Sequence, residues 1–194
     1  MERWVVAAKR ADFTAIGKEF GIDPVIARLI RNRDVQDREE IRRYLYGTVE
    51  ELASPHLMKD VDKAVEILRN KIKEKKRIRI IGDYDIDGVC STCILYKGLS
   101  RVGAKVDYVI PERIKDGYGI NEHLIDNAIN EGIDTIITCD NGIAAVQEIA
   151  YARELGMTVI VTDHHEVQEE LPSAQVIVNP RQADCPYPFK KLCG

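Results

Sequence analysis

Residues 77–88 read RIRIIGDYDIDG. The first half, Arg77 to Gly82, is a run of β-branched residues bounded by charge on one side and glycine on the other, the signature of a buried strand. The second half sets Asp83, Asp85 and Asp87 where that run ends, with Gly88 leading into an amphipathic stretch. Two further segments repeat the arrangement. Asp134 to Cys139 runs into Asp140-Asn141-Gly142, and Thr158 to Thr162 runs into Asp163-His164-His165. Helical patterns near Gly88 to Val102, Asn121 to Glu131 and Ile143 to Leu155 separate the strands, and Gly103, Gly132 and Gly156 are suited to stop them. With Val106 to Ile110 and Gln175 to Asn179 as the remaining strands, the alternation predicts an α/β fold: a parallel five-stranded sheet flanked by helices.

Upstream of this pattern the chain changes character. Helices are expected near Asp12 to Phe20, Asp23 to Asn32 and Asp37 to Leu45, each opened by an aspartate able to cap free backbone N–H groups. Ser54-Pro55 breaks the pattern. The spacing thus predicts a small N-terminal helical segment, 1–58, and an α/β domain, 59–194. A further helix beginning at Val61 should bury Val61, Ala64, Val65 and Leu68 on one face.

Bulk properties narrow the function classes. A net charge of −4 argues against holding nucleic acid through one large basic surface. It leaves open an enzyme that grips phosphates through metal ions, whose acidic ligands lower the formal charge. No apolar run approaches the roughly 20 residues of a membrane helix, and Met1-Glu2-Arg3-Trp4 leads into no signal-peptide pattern, so a cytoplasmic protein without membrane contact is expected. The five cysteines are odd in number and lie mostly in or beside apolar segments, as reduced buried thiols do. Cys90-x-x-Cys93 lacks the second pair that a structural zinc site needs.

In an open parallel sheet, strand ends converge on one crevice, and ligands bind there. Asp83, Asp85, Asp87, Asp140, Asp163, His164 and His165 should therefore meet. Carboxylates so crowded repel one another unless cations neutralise them, and Asp with His suits Mn²⁺, Zn²⁺ or Mg²⁺ better than soft metals. If extended geometry persists past Gly82, Asp83, Asp85 and Asp87 point to one side. Helix capping is the competing explanation, and it accounts for one of the three well. Gly88 would let the backbone turn tightly or approach a phosphate. Of the two adjacent imidazoles, one can ligate metal while the other contacts a phosphate oxygen, with Asp163 orienting a ring from behind. His56 and His123 lack such a setting.

The ordered set, Asp83-Tyr84-Asp85-Ile86-Asp87-Gly88, then Asp140-Asn141-Gly142, then Asp163-His164-His165, resembles the successive motifs of the DHH phosphoesterase superfamily. Val109-Ile110-Pro111-Glu112-Arg113, Asp116-Gly117-Tyr118-Gly119, Val178-Asn179-Pro180-Arg181 and the helical preface resemble its RecJ branch of single-strand-specific 5′→3′ DNA exonucleases. The resemblance implies that Asp85, Asp87, Asp140 and His164 bind one or two Mn²⁺ or Mg²⁺ ions, that His165 faces the scissile phosphate and that Arg113 contacts phosphate. Asp83 and Asp163 are then supporting carboxylates. Where many members have a histidine before the acids, this chain has Ile81.

For an intact enzyme of this kind, two ions about 3.5–4 Å apart would activate water and stabilise the leaving oxygen. Asp140, on the strand expected between the other two, is the candidate to bridge them. Single-stranded DNA is the implied substrate, in recombination and repair, with a helicase or single-strand-binding protein as partner. Relatives in the branch continue past the Leu192-Cys193-Gly194 equivalent with another metal-binding aspartate and a closing domain, so an incomplete, C-terminally truncated enzyme is expected. The alternatives are a phosphoesterase of small substrates (oligonucleotide, cyclic dinucleotide or pyrophosphate) and a non-catalytic fragment.

Overall fold

The computed structural model describes residues 9–112, 114 and 117–194. The chain divides into two compact units, residues 1–52 and 53–194. Among its described residues the first holds three α-helices, α1 (Phe13–Phe20), α2 (Pro24–Asn32) and α3 (Arg38–Tyr46), and a 3-10 turn at Val49–Glu51. Each α-helix opens on the aspartate that the sequence offered. Asp12 accepts from the Ala15 N–H, Asp23 from Val25 with Pro24 at the first helical position, and Asp37 forms a capping box with Glu40. Ala27, Ile30 and Ile41 supply its buried side chains.

The second unit runs α4 (Val61–Lys73), β1 (Arg77–Ile81), α5 (Ile86–Arg101), β2 (Lys105–Val109), α6 (Glu122–Asn130), β3 (Thr135–Cys139), α7 (Val146–Glu154), β4 (Thr158–Thr162) and β5 (Val176–Val178). All strand pairs are parallel, in the order β2-β1-β3-β4-β5. The five strands are those expected, with ends moved by a residue or so.

Period-two alternation builds two cores from these strands. Ile78 and Ile80 of β1, Ile137 and Cys139 of β3 and Ile160 of β4 pack in one cluster with Ala64 of α4 and Leu99 of α5. Ile81, Ile136, Val159 and Val161 point to the opposite cluster, with Leu124, Ile125 and Ala128 of α6 and Ile149 and Ala152 of α7. Burial on both faces explains why the strands read as near-continuous apolar runs. Each fully buried isoleucine contributes about 1.5–3 kcal/mol. Arg79 is a buried charge among them, paired with Asp107 at 2.8 and 2.9 Å and Glu131 at 2.7 Å.

Three expectations need correction. Val65 is exposed, and α4 instead buries Ala64 with Ile67, Leu68 and Ile72 packed beside it, because the sheet meets a stripe rotated from the one chosen. Cys90, Cys93 and Cys193 are exposed, leaving only Cys139 and Cys185 buried. On α5 it is Ser91, Thr92 and Leu99 that turn inward. Third, β1 stops at Ile81 and α5 starts at Ile86, so extended geometry does not run through the three acids.

The chain leaves β1 through α5 toward β2 on one side, while β3, β4 and β5 build outward on the other. The crevice above the carboxyl ends of β1 and β3 is thus the switch point of the sheet, and the third motif follows the neighbouring β4. Among the described residues, no helix is long and apolar enough to cross a membrane.

Candidate metal centre

The loop after β1 is squeezed against the first turn of α5. A Cβ on Gly88 would lie 2.5–2.7 Å from the backbone of Asp83, so the glycine is demanded by this close approach. Its N–H, at 3.0 Å, and that of Asp87, at 2.9 Å, both donate to Asp85 Oδ1. Gly88 therefore has a packing and capping task, in keeping with the tight turn that was one of the two uses expected of it. Asp85 is the cap of α5, and these N–H groups, Gly88's foremost, hold its carboxyl below the ordinary carboxylate value. Asp83 is buried, and its Oδ1 has no hydrogen-bond partner in the protein.

After β3 the chain turns sharply. Asp140 is 2 % exposed and adopts left-handed backbone geometry with φ of 61°. The fully buried Asn141 fixes the turn by donating through Nδ2 to the carbonyls of Ile81, at 3.0 Å, and Cys139, at 2.9 Å, tying the ends of β1 and β3 together. Tyr118 donates its hydroxyl to the Asp140 carbonyl at 3.0 Å. Burial pushes the Asp140 carboxyl up to about 6, with the charges of Asp87 and Asp85 adding to it and His164 acting in the opposite sense.

The third loop is organised by Asp163. Its Oδ2 accepts from the Ile143 N–H at 2.9 Å, and its Oδ1 accepts from the N–H groups of His164, at 2.7 Å, and His165, at 3.1 Å. The same oxygen lies 2.7 Å from His165 Nδ1, which assigns the proton to Nδ1 and turns Nε2 outward. His164 Nε2 sits 2.8 Å from Asp140 Oδ1 and 3.4 Å from Asp87 Oδ2.

Two donor groups result. Asp83, Asp85 and Asp140 present oxygens within 4.8 Å of one another, and Asp140, His164 and His165 present atoms equally close. Asp140 belongs to both. Asp83, assigned a supporting role from sequence, stands among the converging donors, while Asp87, assigned as a ligand, stands beside His164 and outside both groups. The cause is the early end of β1, which places Asp83 in a loop and Asp87 within a helical turn. Ile81 is fully buried in the core, so its side chain offers nothing to the site. Arg113 and Asp116 lie outside the described residues.

The donors fit a hard or borderline divalent cation, being carboxylate oxygens and imidazole nitrogens without a thiolate. An orphaned buried oxygen on Asp83 and, at Asp140, a carboxyl raised by burial and further by its acidic neighbours are what a binding site for positive charge shows when only protein atoms are counted. Beside His165 opens a cleft of about 570 Å³, lined by Tyr118, Asn141, Ala144, Glu148 and Gln168 among others.

Sequence reading missed two contributors. Gly194 donates its N–H to Asp87 Oδ2 at 2.8 Å, and a Cβ there would lie 2.9 Å from that of Asp140. Tyr118 was legible only as part of a motif. Both reach the site through the tertiary fold, and no local pattern signals them.

Residues 77–194 match the family model described as DHH family, N-terminal domain. The chain is 39% identical over 193 residues to the single-stranded-DNA-specific exonuclease RecJ of Bacillus subtilis strain 168, covering 99% of this chain and 25% of the relative. To the protein of the same name from Escherichia coli strain K12 it is 38% identical over 174 residues, covering 89% and 30%. A crystal structure of exonuclease RecJ bound to manganese superimposes with a TM-score of 0.63 at 36% identity, over 68% of this chain and 34% of that one. The chain thus spans between a quarter and about a third of the length of these three proteins. Sheet order, the three strand-end motifs and a match over well more than half its residues agree that the chain belongs to the DHH family.

Proposed function

We propose that this chain carries the metal-binding core of a phosphodiesterase that removes nucleotides from the 5′ end of single-stranded DNA in recombination and repair, using Mn²⁺ or Mg²⁺. The observation that carries the reading is the sharing of one buried carboxylate, Asp140, between two donor groups. Asp83 and Asp85 with Asp140 would hold one cation, and His164 with Asp140, beside Asp87, a second. Such ions would supply charge neutralisation on the phosphate and a water acidic enough to attack phosphorus near neutral pH.

The chain's own residues do the rest. Asp163 fixes the rings of the third motif. His165, its Nδ1–H committed to Asp163, presents Nε2 toward the cleft, where in the protonated form it donates to a phosphate oxygen. Arg113 is assigned a phosphate contact on the family pattern alone. The substrate assignment rests on the names of the relatives, and their bacterial sources support a cytoplasmic site of action. A helicase or single-strand-binding protein is the class of partner that exposes or delivers such ends.

The test has two arms. Calorimetry should show Mn²⁺ binding to this chain, abolished by Asp140→Asn. The full-length protein should release mononucleotides from 5′-labelled single strands far faster than it turns over a dinucleotide, and the same substitution should remove that activity. Preference for the dinucleotide would replace the exonuclease with a small-substrate phosphoesterase. Activity surviving without Asp140 would overturn the mechanism.

A further inference from the structure

Tyr118, on the segment between β2 and α6, touches all three loops that carry the candidate ligands. Its hydroxyl donates to the carbonyl of Asp140 at 3.0 Å. Its ring stands edge-on to Tyr84, which lies between Asp83 and Asp85, with centroids 6.3 Å apart and planes at 85°. It stands edge-on to His165 as well, at 6.2 Å and 90°. Both are favoured aromatic geometries. The next residue, Gly119, has φ of 67° and comes so close to Asn141 that a Cβ would fall 3.1 Å from that side chain, so the Tyr118 backbone is pressed onto the Asp140–Asn141 turn.

We propose that Tyr118 is a positioning residue of the metal centre, locking Asp140 in its left-handed conformation and fixing the ring of His165 with the same side chain. The inference rests on the metal-dependent reading above. Left-handed geometry is sparsely populated by residues that carry a Cβ, so Asp140 needs outside restraint to keep its carboxylate shared between the two groups. Asn141 restrains the turn from inside the sheet, through the carbonyls on either side of it. The phenol restrains it from the cleft, at the Asp140 carbonyl itself. Tyr118 is not a core residue, since 53 % of it is exposed. Its contacts serve the loops, and its removal should leave the folded state intact.

Two variants of this chain separate the parts. Tyr118→Phe deletes the hydroxyl and keeps both ring contacts; Tyr118→Leu deletes all three. Supporting groups around metal ligands typically change affinity about 10–100-fold. Tyr118→Phe should therefore bind Mn²⁺ about tenfold more weakly by calorimetry with an unchanged melting temperature, and Tyr118→Leu should bind more weakly still. In the metal-free chain, the imidazole resonances of His165 should shift in Tyr118→Leu and stay near wild type in Tyr118→Phe. Tyr96→Leu, removing a tyrosine that packs on Tyr108 instead, should leave both readouts unchanged. Wild-type Mn²⁺ affinity in both Tyr118 variants, with His165 resonances unmoved, would reduce the tyrosine to a wall of the cleft. If the wild-type chain binds no Mn²⁺, the metal reading fails, and the His165 resonances still decide whether Tyr118 positions the ring.

Discussion

Replacing Asp140 with asparagine should stabilise the metal-free protein while destroying its response to metal. Asparagine keeps the size of the side chain, tolerates φ of 61° better than alanine, and can still accept from His164 Nε2. What it removes is a negative charge that is buried and is also held beside two others. The sign follows from the carboxyl being pushed up from 3.8 to about 6 in the fold. Between those values the native state binds more protons than the unfolded chain, so stability falls as pH rises through the window, and the penalty is complete above about pH 6. Roughly two pH units at about 1.4 kcal/mol each give a ceiling of about 3 kcal/mol. Because Asp85 is exposed and Asp87 partly so, solvent screening cuts this to roughly half, about 1.5 kcal/mol.

Urea denaturation in EDTA at pH 8 should therefore find Asp140→Asn more stable than wild type by about 1.5 kcal/mol, or about 4 °C in melting temperature for a chain of this size. The advantage should shrink toward zero as pH falls to 4. Adding Mn²⁺ at about 100 times its dissociation constant should raise wild-type stability by about 2.7 kcal/mol and leave the variant unmoved, reversing their order. A variant less stable than wild type at pH 8 in EDTA, or an undiminished Mn²⁺ effect, would refute the claim that Asp140 is strained for the sake of a cation.

Asp163→Asn should behave in the opposite way, losing about 1–3 kcal/mol at pH 8 in urea melts with or without metal, because an amide nitrogen would replace an oxygen that accepts from backbone N–H groups. Gly88→Ala should cost about 1–3 kcal/mol through overpacking against the Asp83 backbone, and Mn²⁺ calorimetry should show weakened binding as that loop is displaced.

The fold was legible because its signals are local. Thr158–Thr162 forms β4 with the boundaries its β-branched run suggests, and Asp12, Asp23, Asp37 and Asn121 cap the helices they precede. Where a reading depended on what the sheet presents to a helix, it slipped, as for Val65 and the outward Cys90 and Cys93. The site was legible at the level of loops, since parallel strands gather their carboxyl ends whatever the side chains do. The grouping of its donor atoms was not. Whether Asp83 or Asp87 joins the converging donors turns on where β1 ends and α5 begins, and a short break in extended geometry is enough to exchange them. Gly194 reaches Asp87 across 107 positions of sequence, a distance no spacing argument covers.

Asp140 and Asp163 show what separates a framework carboxylate from a candidate ligand in this fold. Both follow a strand, both are almost fully buried, at 2 % and 6 % exposure, and the strands they follow are neighbours. Asp163 accepts three backbone N–H bonds and one from an imidazole, so the protein itself satisfies its charge. Asp140 receives one imidazole on its carboxylate and otherwise faces Asp85 and Asp87. Burial without donors is costly for a carboxylate, and a fold under selection for stability alone would fill that position with a neutral residue. Asn141, its immediate neighbour, shows that the turn accommodates an amide. The charge at Asp140 is thus left for something outside the chain to neutralise, and His164, Asp83 and Asp85 are placed where that something would sit.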